Sequence, residues 1–207
     1  MKFKTPKQPV FLALVLFVSL LPRVLFAQQI SKDEREYVLN YLQKTKTNFL
    51  NSIKGLSDAQ WHYKADSSRW SIAECAEHII KAEAMIRGYA LDSIMSKPVD
   101  PAKKVTIKTE DISAMIEDRS HKAKAPEMLV PKDVFATPAD AVKAFEGERQ
   151  KTIDYIKKTK DDLHGHIGQS PLGMLDAYQF LVLLTAHSAR HTKQIEEVKN
   201  SPGYPKL

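Results

Sequence analysis

FLVLLTAHSARHTKQIEEV, residues 180–198, is the stretch on which the fold turns. Phe180, Leu184, His187, His191, Ile195 and Val198 follow one another at intervals of four, three, four, four and three residues. Those are the intervals at which side chains return to one face of an α-helix. The spacing predicts a helix from near Leu175 to near Asn200, stopped before Pro202 and Gly203. Its apolar stripe must face a core, and two of the stripe positions are histidines.

Three more helices can be read outward from this one. Ser31 and Glu34 have the form of a capping box, and Val38, Leu39, Leu42, Phe49, Leu50 and Ile53 continue it as a helix over about 32–54. Ser71 and Glu74 repeat the box after the connector GLSDAQWHYKADSSRW; Ile72, Cys75, Ala76, Ile79, Ala82, Met85 and Ile86 carry that helix over about 72–94. Thr137 before Pro138 starts a third, with Ala141, Val142, Phe145, Ile153 and Ile156 on one side as far as about Lys160. Between them, residues 96–134 hold Pro98, Pro101, Pro126 and Pro131 among charged residues. This reads as a long connection, a crossover or a lid, with at most one short helix near 109–118. Strand-type alternation is scarce, so the expected fold is an all-α four-helix bundle with a long connection between helices two and three.

The first 27 residues form a separate segment. Lys2, Lys4 and Lys7 precede a mainly apolar run from Val10 to Leu21 and a small residue, Ala27, which is the layout of a secretory signal peptide cut after Ala27. An uncleaved anchor is the alternative, because the apolar stretch lengthens if Val24–Ala27 are counted across Pro22 and Arg23. The expected organisation is a leader over 1–27 and one domain over 28–207, exported to the periplasm or the exterior with no stable membrane anchor after cleavage. The leader carries four of the 31 basic residues and none of the 25 acidic ones, so the remainder is near neutral at +2. No basic cluster interleaved with aromatics remains, which argues against nucleic acid as a partner. Cys75 is the one cysteine and has no internal disulfide partner, so cohesion has to come from the helical core.

The stripe histidines define the chemistry. Four residues apart on a helix, His187 and His191 can aim both imidazoles at one point. His78 in WSIAECAEHIIKAE lies on the side of its helix that carries Cys75 and Ala82, so it can supply a third nitrogen from a facing helix. Three neutral imidazoles suit Zn²⁺ or a similar first-row ion and leave a fourth position open. A single stripe histidine is more simply a core residue hydrogen-bonded to backbone or water. For the pair, a shared metal and separate hydrogen-bonded rings account for the spacing equally well.

WSIAECAEHI, and HIGQSPLGMLDAYQFLVLLTAHSARHTKQIEEV before and through the last helix, resemble in order and spacing the DinB-like (DinB/YfiT-like) superfamily of bacterial helical bundles, over nearly the whole chain after the leader. The resemblance implies a divalent metal, zinc or nickel, on His78, His187 and His191. It also implies a metal-dependent enzyme of the hydrolase or thiol-type transferase kind acting on an unknown small molecule, and a homodimer as the oligomer to look for. Export departs from the thiol-dependent members, whose low-mass thiols are cytosolic, and the reaction stays open.

The remaining candidates have simpler explanations beside their functional ones. Glu74, one turn before His78, is a candidate base, though its capping position accounts for it. Gln194, about one turn beyond His191, can support the site or touch a substrate; a solvated helix surface is the plainer reading. Cys75 reads as core packing, His164 and His166 as a two-residue clip too small to bind strongly, and His62 and His121 as ordinary loop residues. Trp61 and Trp70 are expected to pack beneath the connector, with ligand stacking the lesser option for either. Ser188 stands where HExxH proteases have glutamate, which argues against that reaction. Two non-enzymatic readings compete: a helical module with a structural metal, and an envelope ligand-binding protein that uses residues 96–134 as its recognition surface.

Overall fold

Serine, threonine or aspartate stands at the start of each of four long helices, where its side chain accepts a hydrogen bond from a first-turn backbone N–H. The computed structural model describes residues 1, 29–121 and 123–206. The expected leader and its cut after Ala27 fall, Met1 aside, outside the described residues. Helix α1 (Lys32–Ile53) is capped by Ser31, and the single turn α2 (Asp58–Trp61) by Ser57. Helix α3 (Ile72–Gly88) starts at Ser71 and continues as a π-helical segment, Tyr89–Ile94. The connection after it contains α4 (Thr109–Glu117) and a 3₁₀ turn, Glu127–Leu129. Helix α5 (Pro138–Lys158) is capped by Thr137 with proline in its first turn, where the missing N–H costs nothing. A hairpin of β1 (Ile167–Ser170) and β2 (Gly173–Asp176) leads into α6 (Ala177–Lys199).

Helices α1 and α3 each pack against both α5 and α6, and α4 lies along α6. Helix α6 is the most enclosed, because FLVLL makes its first half apolar all round. Most of the stripe residues expected from the sequence are buried, among them Val38, Leu42, Phe49 and Ile53 on α1, Ile72, Cys75, Ala76 and Ile79 on α3, and Ala141, Phe145, Ile153 and Ile156 on α5, while Leu39, Leu50, Met85 and Val142 are half-buried. The core falls into two clusters, one around Leu42, Ile86, Ile156 and Leu181, the other around Phe49, Trp61, Ile79, Phe145 and Ile195.

A charged clasp sits where the two clusters meet along α1, α3 and α5. The Arg149 guanidinium, fully buried, donates to both carboxylate oxygens of Glu83 at 2.9 and 2.8 Å. It also donates to the Leu42 carbonyl at 2.8 Å and the Thr45 hydroxyl at 2.7 Å. Thr152 donates to Glu83 at 3.2 Å, and the guanidinium lies 4.9 Å from the centre of the Phe145 ring. Burial of this kind is tolerable only because nearly every donor and acceptor is answered.

The hairpin is the one strand pairing among the described residues, in a chain whose strand-type alternation is scarce. Its strands are four residues each, too short for a period-two pattern to emerge, and Gly173 takes a φ of +125° that other residues rarely adopt. The last helix accordingly begins at Ala177 and not near Leu175, because Asp176 ends β2 and caps α6 by accepting from the Gln179 N–H at 2.7 Å. The architecture is nonetheless all-α in class. Among the described residues no helix is long and apolar enough to cross a membrane.

Candidate metal centre

His78 reaches the interior from the second turn of α3, while His187 and His191 lie one turn apart on α6. The three imidazoles converge. Ring centres are 5.0 Å apart for His78 and His187, 4.4 Å for His78 and His191, and 4.5 Å for His187 and His191. One nitrogen from each ring lies within 4.8 Å of the other two, and this is the one such group of three potential ligands among the described residues. Nε2 of His78 and Nε2 of His187 are 3.3 Å apart. His78 and His191 are buried; His187 is partly exposed.

Outer contacts fix two of the rings. Nδ1 of His78 lies 2.8 Å from the Leu129 carbonyl, which can only accept, so Nδ1 carries the proton and Nε2 keeps its lone pair. Nδ1 of His191 lies 2.8 Å from the side-chain oxygen of Gln194. Just beyond Leu129 the same segment is tied to α3 by Glu77, whose buried carboxylate accepts the N–H groups of Lys132 and Val134 at 3.0 Å and pairs with Lys81. Burial pushes the Glu77 carboxyl up, but Lys81 and those two N–H groups outweigh it and leave the acid below its usual range.

All three rings are held neutral. Burial lowers His187 to about 3, and a proton there would also be repelled by Arg190 and by any proton on His78. Burial and the two other histidines hold His191 well below the ordinary value, and burial lowers His78. Neutral imidazole is the form that binds metal, so the cluster combines ligand-ready nitrogens with an environment that resists protonating them.

The other residues singled out in the sequence fall into place around this centre. Trp70 lies closer to the site than expected, its ring centred 4.7 Å from that of His78 and 6.0 Å from that of His191. Trp61 is in the core as expected, its indole N–H on the Phe135 carbonyl at 2.9 Å. Both Glu74 oxygens are occupied, one by the Ser71 N–H at 2.8 Å and one by Lys64 at 2.7 Å, as its capping role requires. Cys75 is fully buried and burial pushes its thiol up, away from reactivity. His164 does not pair with His166; two carboxylates take it, Asp176 at 2.9 Å and Glu34 at 3.2 Å. Three contributors were not singled out in the sequence: the Leu129 carbonyl, Glu77, and Arg119, which donates to Gln194 at 3.3 Å. Only Glu77 left a trace in the sequence, as an acidic residue beside His78 and between the apolar positions Ala76 and Ile79.

Against known families, the model of the DinB superfamily matches residues 41–195, from within α1 through most of α6, and includes all three histidines. The chain belongs to the DinB superfamily. A relative of this DinB chain is an uncharacterized protein, YuaE, of Bacillus subtilis (strain 168), 25% identical over 150 residues that cover 72% of this chain and 89% of that one. No solved structure matches. For a DinB chain the arrangement amounts to three nitrogen donors from two helices that can hold one metal ion.

Proposed function

We propose that this DinB-superfamily protein binds one divalent first-row ion, zinc or nickel, through His78, His187 and His191, and acts outside the cytoplasm as a metal-dependent hydrolase or transferase on a small molecule. The observation that carries the reading is the 3.3 Å between Nε2 of His78 and Nε2 of His187. Two nitrogens each about 2.0–2.1 Å from a tetrahedral ion sit about 3.3–3.4 Å apart. Two neutral imidazole nitrogens that close, in a buried site, are poorly served by one shared proton and well served by a common ligand. A bound ion would supply Lewis acidity at a coordination position that no fourth ligand among the described residues fills. Trp70 walls the site on the side of His78 and His191, and the partly exposed His187 marks the side from which a substrate would come.

A structural metal is the second reading. It is favoured by the burial of His78 and His191 and by their position across the α3–α6 contact, where an ion would tie the two helices together. Elemental mass spectrometry on the purified protein, beside a His187→Ala/His191→Ala variant, tests both. About one equivalent of metal, absent from the variant, supports the site; no uptake even after incubation with zinc or nickel removes it. If chelation then unfolds the protein, the ion is structural; if the fold survives and the metal-free protein regains metal, screening hydrolase and transferase substrates is warranted. Export is tested by the N-terminal sequence of the protein recovered from outside the cytoplasm, expected to begin at Gln28.

A further inference from the structure

Arg119 lies just beyond α4, on a segment that Arg190 pins to α6 by donating to the carbonyls of Ile116, Asp118 and His121. Its guanidinium pairs with Glu197, 2.7 Å from Oε2, and donates to Oε1 of Gln194 at 3.3 Å. The same Gln194 oxygen stands 2.8 Å from Nδ1 of His191.

We propose that Arg119 is a positioning residue that sets the tautomer of His191 through Gln194. A guanidinium has donors only, so the amide must turn its oxygen, and not its NH₂, toward Arg119. That oxygen then has one acceptor site left for His191, whose Nδ1 must carry the proton, and Nε2 is left with the free lone pair a metal needs. With Arg119 gone, the amide can flip. Its NH₂ then donates to Nδ1, the proton moves to Nε2, and the nitrogen aimed at the site becomes a donor. The Leu129 carbonyl imposes the same tautomer on His78, so the connection between α3 and α5 orients one ring from each ligand-bearing helix.

The proposal rests on the metal reading only for its purpose; the tautomer can be read without metal. Long-range ¹H–¹⁵N spectra of the metal-free protein at neutral pH are expected to show His191 protonated at Nδ1 in the wild type and in Glu197→Gln, and substantially at Nε2 in Arg119→Met. Adding Gln194→Glu to Arg119→Met should return the proton to Nδ1, since a carboxylate only accepts. Zinc affinity measured by competition with a chromophoric chelator should follow, falling about 10- to 100-fold in Arg119→Met and recovering most of that loss in the double variant. If Arg119→Met does not fold, Gln194→Glu against Gln194→Leu in the otherwise native chain asks the same question, the first keeping the tautomer and the second losing it. A His191 tautomer indifferent to these changes overturns the proposal, whatever the zinc result. A tautomer that follows them in a protein that takes up no zinc leaves the positioning role standing and removes the metal reading.

Discussion

Two polar clusters are buried in this bundle, and they are opposites. The Glu83–Arg149 clasp joins opposite charges, and its donors and acceptors find each other or find Leu42, Thr45 and Thr152. The histidine cluster brings three neutral rings together, satisfies the outer nitrogens of His78 and His191 with Leu129 and Gln194, and leaves the inner ones facing one another. Charges that answer one another mark a part of the frame. Rings held from outside, with their inner nitrogens turned only toward one another, mark a place suited to a shared ligand.

The sharpest way to break the comparison is to cut each cluster once. Arg149→Met strands the Glu83 carboxylate and is expected to cost about 3–5 kcal/mol in urea denaturation, while His187→Ala in the metal-free protein should cost far less. A loss as large from the histidine change would erase the distinction.

Metal addition should then separate them in the other direction. Zinc at a hundredfold excess over its Kd is expected to stabilise the wild type by about 2.7 kcal/mol and to leave His187→Ala/His191→Ala unmoved, as read by thermal denaturation.

Acid comes next in size. His187 is neutral when folded, with a pKa of about 3, and takes up a proton near its ordinary value of 6.5 when unfolded. Below pH 6.5 the unfolded state therefore binds more protons, and stability falls as pH falls toward about 3, with no change above pH 7. The share of the loss between pH 7 and pH 5 that His187 contributes in the metal-free protein is about 1–2 kcal/mol; His191 and His78, also lowered by burial, add to it in the same direction, so His187→Ala should make that slope shallower, and Arg149→Met should not.

The smallest effect concerns Glu74. Glu74→Gln keeps the capping box, so stability should stay within about 0.5 kcal/mol and metal content should be unchanged. A variant that folds and binds metal normally yet loses all turnover of an identified substrate would return Glu74 to the chemistry.

What the sequence discloses follows from where periodicity exists. The stripe of α6 and the capping boxes at Ser31 and Ser71 locate three long helices, and with them His78, His187 and His191, because helical spacing is a local property of the chain. The Leu129 carbonyl and Arg119 were out of reach: backbone oxygens have no sequence signature, and residues 96–134 have no repeat from which to infer a facing direction. Arg149 was hidden for a different reason. A charged residue between Phe145 and Ile153 reads as a break in the apolar face, and nothing local says that Glu83, 66 residues away, will answer it. The hairpin was missed because IGQS and GMLD are too short to alternate and because Asp176 is both the end of a strand and the cap of a helix.

The clasp also constrains which variants of this protein can arise by single substitutions. Changing Glu83 or Arg149 alone leaves an unanswered charge in the core, whereas replacing both together by well-packed apolar residues can be close to neutral. The frame is therefore separated from its apolar alternatives by a barrier that no single substitution crosses cheaply. The histidines face no such barrier, and a lineage could exchange one for another residue, altering the ion or losing it, while the helices around them stay assembled.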